Sequence, residues 1–124
     1  MSKSHDLASG LVARLLATRS RAHALHLLTK SYEVHKAMEF LYTGLPDLTD
    51  DFAEVYQGRF GVRLDLTKAL GNPPSEPKDL VSALRRWISE IRKEIGGADD
   101  THLQNIIDEI MAHLDRTSYL LSLT

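Results

Sequence analysis

The chain contains no cysteine in its 124 residues. That excludes disulfides, thiol nucleophiles, thiolate-bound zinc and iron–sulfur clusters, and leaves histidines and carboxylates as the strong metal ligands. It also lacks an excess of either charge: 15 Lys and Arg stand against 17 Asp and Glu, a net charge of −2 that weighs against a strongly basic polyanion binder. No apolar run approaches the roughly 20 residues that span a bilayer, and the start, Met1 to Asp6, has no apolar stretch of a secretory signal. A soluble, cytoplasmic protein with no membrane partner is the expectation. Missing too are a nucleophile–base arrangement, a Gly-rich phosphate loop and a His-Glu-x-x-His motif, so hydrolase and NTPase chemistry has no support. No segment alternates with period two, and there is no repeat or low-complexity tract.

What is present is helical spacing from end to end. A first helix is expected over about 4–28, capped by Ser4 or Asp6, with Leu7, Leu11, Leu15, Ala22 and Leu25 along one side. A second, about 32–56, carries Val34, Met38, Leu41, Leu45, Leu48, Phe52 and Val55 at steps of three and four. A Gly/Pro-rich connector follows over 57–77, with a short helix about 64–70. The third helix, about 77–95, aligns Leu80, Leu84, Trp87, Ile88, Ile91 and Ile95, with Trp87 read as core, and Gly96-Gly97 stops it. Asp99 or Asp100 restarts the chain, Thr101 with Gln104 has the pattern of a capping box, and a fourth helix carries Leu103, Ile106, Ile107, Ile110, Leu114, Thr117 and Leu121. These features predict one all-α domain over 1–124, an antiparallel four-helix bundle.

The polar side of the second helix holds the candidate chemistry. At about 100° per residue from Val34, His35 falls near 100°, Glu39 near 140°, Asp50 near 160° and Glu54 near 200°. His35/Glu39 and Asp50/Glu54 are each spaced i,i+4, close enough to share one ion. The two pairs lie roughly 22 Å apart along a straight helix, so one chain closes no site from both. Two copies packed antiparallel would, giving two sites per dimer. The plain alternative for such a stripe is a solvated helix face.

With His23 added, the series His23, His35, Glu39, Asp50, Glu54 runs at intervals of 12, 4, 11 and 4 residues. Together with Arg21-Ala22-His23, Val34-His35, Leu48-Thr49-Asp50-Asp51-Phe52-Ala53-Glu54 and Gln57-Gly58, this resembles the ferroxidase motif of the Dps mini-ferritins, members of the ferritin-like superfamily. The resemblance implies a ferritin-like bundle that binds iron between two-fold-related subunits. It implies oxidation of Fe(II), with peroxide preferred over dioxygen, and storage of ferric mineral in a dodecameric cage. His23 and His35 would come from one chain, Asp50 and Glu54 from its partner, and Glu39 would complete the site; carboxylates favour Fe(III) and imidazoles retain Fe(II). The chain departs from the family pattern at Glu39, where Asp is usual, and at Ala24, where a Trp is frequent. It departs also at Pro46, expected to kink or break the second helix at a cost of about 3 kcal/mol, and in its short connector. DNA binding is expected to be weak, since Lys3 is the one cation before Arg14. Short proteins of this kind are also similar to phage-encoded ones.

Elsewhere the plain readings prevail. His26 is read as a partly buried helix histidine. His5 and His113 are given no metal role, and His102 with Asp99 belongs to a helix start. Asp47 and Asp51 are read as solvated surface, and Arg85, Arg86, Arg92 and Lys93 as a basic patch mixed with Glu90 and Glu94. A second reading therefore stands beside the ferroxidase: a metal-free helical bundle acting as a protein-interaction or assembly module. It would grip a partner through the polar face of the second helix or the basic face of the third.

Overall fold

The computed structural model describes residues 2–66 and 71–124. Four α-helices, α1 (Lys3–Leu28), α2 (Tyr32–Phe60), α3 (Pro77–Ile91) and α4 (Thr101–Leu121), are joined by a 3₁₀ turn at Arg92–Glu94 and irregular links, with no strand among the described residues. Around the bundle α1 packs on α2, α2 on α4, α4 on α3, and α3 back on α1. The apolar stripes meet in one core, where Leu11, Leu41, Phe52, Ile88 and Ile107 are fully buried. At about 1.5–3 kcal/mol for each such side chain, this burial is what holds the helices together. Trp87 is half-buried at the α1–α3 seam, with the Arg14 guanidinium 4.0 Å over its ring and Gly10 leaving room beside it.

The helix ends show local chemistry at work. Ser2, two residues before the expected Ser4, caps α1 by accepting from the His5 N–H at 3.1 Å. Ser4 is engaged elsewhere, bonded to the Tyr56 hydroxyl and to the Gly96 N–H. Ser31 caps α2 through the Val34 N–H. That helix runs past Gly58 to Phe60, because the left-handed stop is Gly61, at φ 65°. Glu76 caps α3 with Pro77 at its first position. α3 ends at Ile91 rather than 95, tightening into the 3₁₀ turn before Gly96. The Thr101/Gln104 box does not form: Asp100 is the cap residue, and its buried carboxylate turns back to the Gly97 N–H at 2.7 Å and to Arg59 Nε at 2.6 Å. Those two donors hold the Asp100 carboxyl below the usual carboxylate range.

The short helix expected over 64–70 falls largely outside the described residues; residues 64–66 are irregular. Both flanks of the connector are tied down. Gln57 Oε1 accepts from the Leu64 N–H, Ser9 Oγ accepts from the Asp65 N–H, and Arg21 reaches Asn72 and Ser75.

α2 continues through Pro46 without a break. Proline removes the N–H that would serve the Tyr42 carbonyl and crowds that group. In the turn just before it, His113 of α4 inserts its ring against the α2 backbone and donates from Nε2 to the Phe40 carbonyl at 3.0 Å, with the Leu41 carbonyl at 3.3 Å. The ring also stacks on Phe40 at 4.3 Å between centroids. Gly44 makes the insertion possible, since a Cβ there would collide with the imidazole.

A pair of glycine substitutions separates helix propensity from this contact. Gly58→Ala enters open space and should stabilise the protein by up to about 1 kcal/mol, the usual gain over glycine within a helix. Gly44→Ala should instead destabilise by about 1–3 kcal/mol, as overpacked sites do. Urea unfolding midpoints of the two variants check this; equal shifts of one sign would show that His113 yields freely.

Candidate functional site

The five residues of the expected metal constellation divide into two groups. At the closed end of the α1–α2 hairpin, His23 stacks on Tyr42 with centroids 4.2 Å apart and planes 8° from parallel. His35 stacks on His26 at 3.7 Å. The last two rings also exchange bonds: His26 Nδ1 donates to the His35 carbonyl at 2.9 Å and His35 Nδ1 to the His26 carbonyl at 2.8 Å. His35 thus turns towards α1 and pins the two helices across residues 29–31. Sequence reasoning missed that His26 is its partner; the signal available was three histidines flanking a short link. Glu39 sits at the edge of this cluster, bonded to Lys36 at 2.7 Å, and the ammonium holds its carboxyl below the ordinary range. Asp50 and Glu54 lie farther along α2, both exposed and without a bonded partner among the described residues. Within one protomer, and among the described residues, no three His, Asp or Glu side chains converge to hold a metal ion.

The two charged faces singled out in the sequence behave differently. Arg85 of α3 pairs with Asp115 at 2.9 Å, and Arg92, in the 3₁₀ turn that follows, with Asp108 at 2.6 Å, both across to α4. The guanidinium of Arg92 lowers the Asp108 carboxyl, and both arginines are raised in turn. Exposed pairs like these add about 0–1 kcal/mol each, but they cancel much of the basic patch. On α2, Asp47, Asp50, Asp51 and Glu54 are all exposed, and none has an ion pair or hydrogen bond among the described residues. Unneutralised charge is therefore concentrated on the C-terminal half of α2.

Beside that strip, where α2 meets α4, lies a notch of about 250 Å³ lined by Phe40, Leu48, Glu109, Ala112, His113 and Arg116. It opens beside Ala112, whose side chain offers little bulk. Burial pushes the His113 imidazole below its ordinary value, so the ring is neutral, with its proton on Nε2 facing the two carbonyls. A larger cleft, about 420 Å³, separates α1 from α3 and residues 71–74. Its lining is mostly small and apolar, and Arg14 is its one titratable group among the described residues, so it assembles no acid–base pair.

Comparison with known proteins bears on these alternatives. Residues 26–121 match DUF5856, a family of unknown function. The chain is 35% identical over 112 residues to an uncharacterized 14.6 kDa protein in the mobD-ri intergenic region of Enterobacteria phage T4, covering 88% of this chain and 83% of that protein. No solved structure matches. These findings overturn the resemblance to the Dps mini-ferritins. The physical reason for the mistaken likeness is that outward helix positions carry polar residues at three- and four-residue steps in any amphipathic helix. A five-residue register drawn from such positions is compatible with more than one family.

The depressed His113 gives a pH dependence of definite sign. The folded state binds fewer protons at this ring than the unfolded chain, whose histidines titrate near about 6.5. Its contribution is complete above about pH 6.5 and is lost as pH falls towards the lower folded value. His113→Gln keeps an N–H donor without the titration. Between pH 7.5 and 5.5 the wild type should therefore lose more stability than this variant; parallel losses in urea unfolding would refute the assignment.

Proposed function

We propose a function from one settled premise: the chain belongs to the family of unknown function DUF5856. The geometry best supports a helical protein-interaction module whose exposed acidic α2 face grips a basic surface on a protein partner. One observation carries this reading. Asp47, Asp50, Asp51 and Glu54 are exposed and unneutralised on one strip, whereas Arg85 and Arg92 of the competing basic face are paired internally.

The spacing suits the task. Positions i, i+3, i+4 and i+7 share one side of a helix and cover about 10 Å of its length. A row of carboxylates on that rod attracts a complementary cationic surface before contact, raising the association rate in a salt-dependent way. It repels nucleic-acid phosphates, which points the module towards proteins. Among the described residues no helix is long and apolar enough to cross a membrane. The likeness to a phage T4 protein supports reading this chain, too, as phage-encoded.

The test neutralises the strip without altering its shape. The chain carrying Asp47→Asn, Asp50→Asn, Asp51→Asn and Glu54→Gln should keep its helicity, because all four side chains are exposed. A partner captured from host lysate by the wild-type chain should bind this variant at least tenfold more weakly, a loss of about 1.4 kcal/mol, and raised salt should weaken the wild-type complex alike. Arg86→Gln on α3 with Lys93→Gln in the 3₁₀ turn should bind as wild type does. Affinity that ignores both salt and the α2 changes would sink the reading.

A further inference from the structure

We propose that the notch between α2 and α4 receives one apolar side chain of the same basic partner, which therefore presents a cationic helical segment with a single apolar anchor. This rests on the interaction reading above and adds the anchor to it.

The placement follows from the helix geometry. Phe40, Gly44, Asp47 and Asp51 stand at i, i+4, i+7 and i+11, one row along α2. The notch runs beside this row from Phe40 to Leu48, and Asp47 and Asp51 stand at its Leu48 end, so a segment lying along the row meets both. α4 runs antiparallel beside it, as the contacts His113–Phe40 and Arg59–Asp100 require. It contributes Ala112 and His113 to the notch, with Glu109 and Arg116 at its rim.

Size and charge decide what fits. A volume of about 250 Å³ lies below the roughly 300–1,000 Å³ of ordinary small-molecule pockets and suits one side chain. Phe40 and Leu48 offer it apolar contact, while Asp47, Asp51 and Glu109 place negative charge on one side. A lone apolar patch would leave the occupant open; here the carboxylates select a segment whose flanking residues are Lys or Arg. Arg116, 6.0 Å from the Phe40 ring centroid, bounds the notch with positive charge and disfavours a cation on that side. The segment's cations therefore lie to one side of the anchor. Apolar anchors seated in pockets contribute most of an interface's affinity, and surrounding charge sets orientation.

Two fluorescent helical peptides of 18 residues test this with the full chain. Both carry Lys along one face on one side of a central position, which is Leu in the first and Ala in the second. By anisotropy, the Leu peptide should bind at least tenfold more tightly. Ala112→Leu, an exposed change to another strong helix former, fills the notch and should erase that advantage while leaving Ala-peptide binding intact. Circular dichroism checks that the variant is folded, and Ala112→Gln serves as a second filler if it is not. Equal affinities for the two peptides, both lost in the neutralised α2 variant, would overturn the anchor and leave the interaction reading standing. A Leu advantage that survives both fillers would overturn its location. No binding of either peptide would overturn both readings.

Discussion

The α2–α4 seam depends on one imidazole. His113 meets the α2 backbone where Gly44 has no side chain and just ahead of the N–H that Pro46 lacks. Its bonds to the Phe40 and Leu41 carbonyls and its stack on Phe40 fix the two helices in register. Magnitudes show what it does and does not do. A hydrogen bond nets about 1 kcal/mol and an aromatic stack about 0.5–1.5, against about 3 for a proline within a helix. Continuity of α2 is therefore imposed mainly by its buried stripe, in which Met38, Leu41, Leu45 and Phe52 are worth about 1.5–3 kcal/mol each. His113 shares its one Nε2 proton between two carbonyls of the turn leading into the proline, and it sets the shape of the notch beside them.

The histidines at the other end of the hairpin play a comparable part. His26 and His35 each donate to the other's carbonyl, joining the last turn of α1 to the first of α2, and the His35 ring serves the His26 carbonyl where the end of α1 leaves carbonyls in need of partners. An imidazole has two nitrogens, and sequence does not say which one the backbone will take. His35 in a stripe with Glu39, Asp50 and Glu54 reads equally as a ligand or as a clasp. In the folded chain its Nδ1 is committed to α1, and Glu39 is committed to Lys36.

Much of the fold was legible because it rests on local pattern. The stripes from Met38 to Phe52 on α2 and from Leu80 to Ile91 on α3 predict both the helices and the faces they bury, and α2 starts at Tyr32, where the spacing places it. What escaped the sequence was set by tertiary contact. Gly58 and Gly61 look alike as helix stops, yet one stays helical and the other turns left-handed. Asp100 looks like a cap until Arg59, forty-one residues earlier, reaches its carboxylate. Arg85 and Arg92 look like a basic face until α4 presents Asp115 and Asp108. The acidic strip was visible as residues; that two of the four cations of the other face are neutralised, and none of the strip's carboxylates, required the pairing across the bundle. Gly44, Pro46 and His113 are separately visible, but nothing local connects them.

A net charge of −2 would predict a nearly featureless electrostatic surface if the charges were mixed evenly. They are not, because α3 and α4 face each other with opposite charges and consume them in pairs, while α2 has no such neighbour on its outer side. Its outer side is opposite α3 in the bundle order α1–α2–α4–α3. An acidic strip on that free side would attract any cation without discrimination. The Phe40–Leu48–Ala112 notch adjoining it supplies what charge alone lacks, a fixed point that only one register of an approaching segment can satisfy. The same half-buried imidazole that joins α2 to α4 shapes that point, so the contact that secures the fold also sets where recognition would be specific.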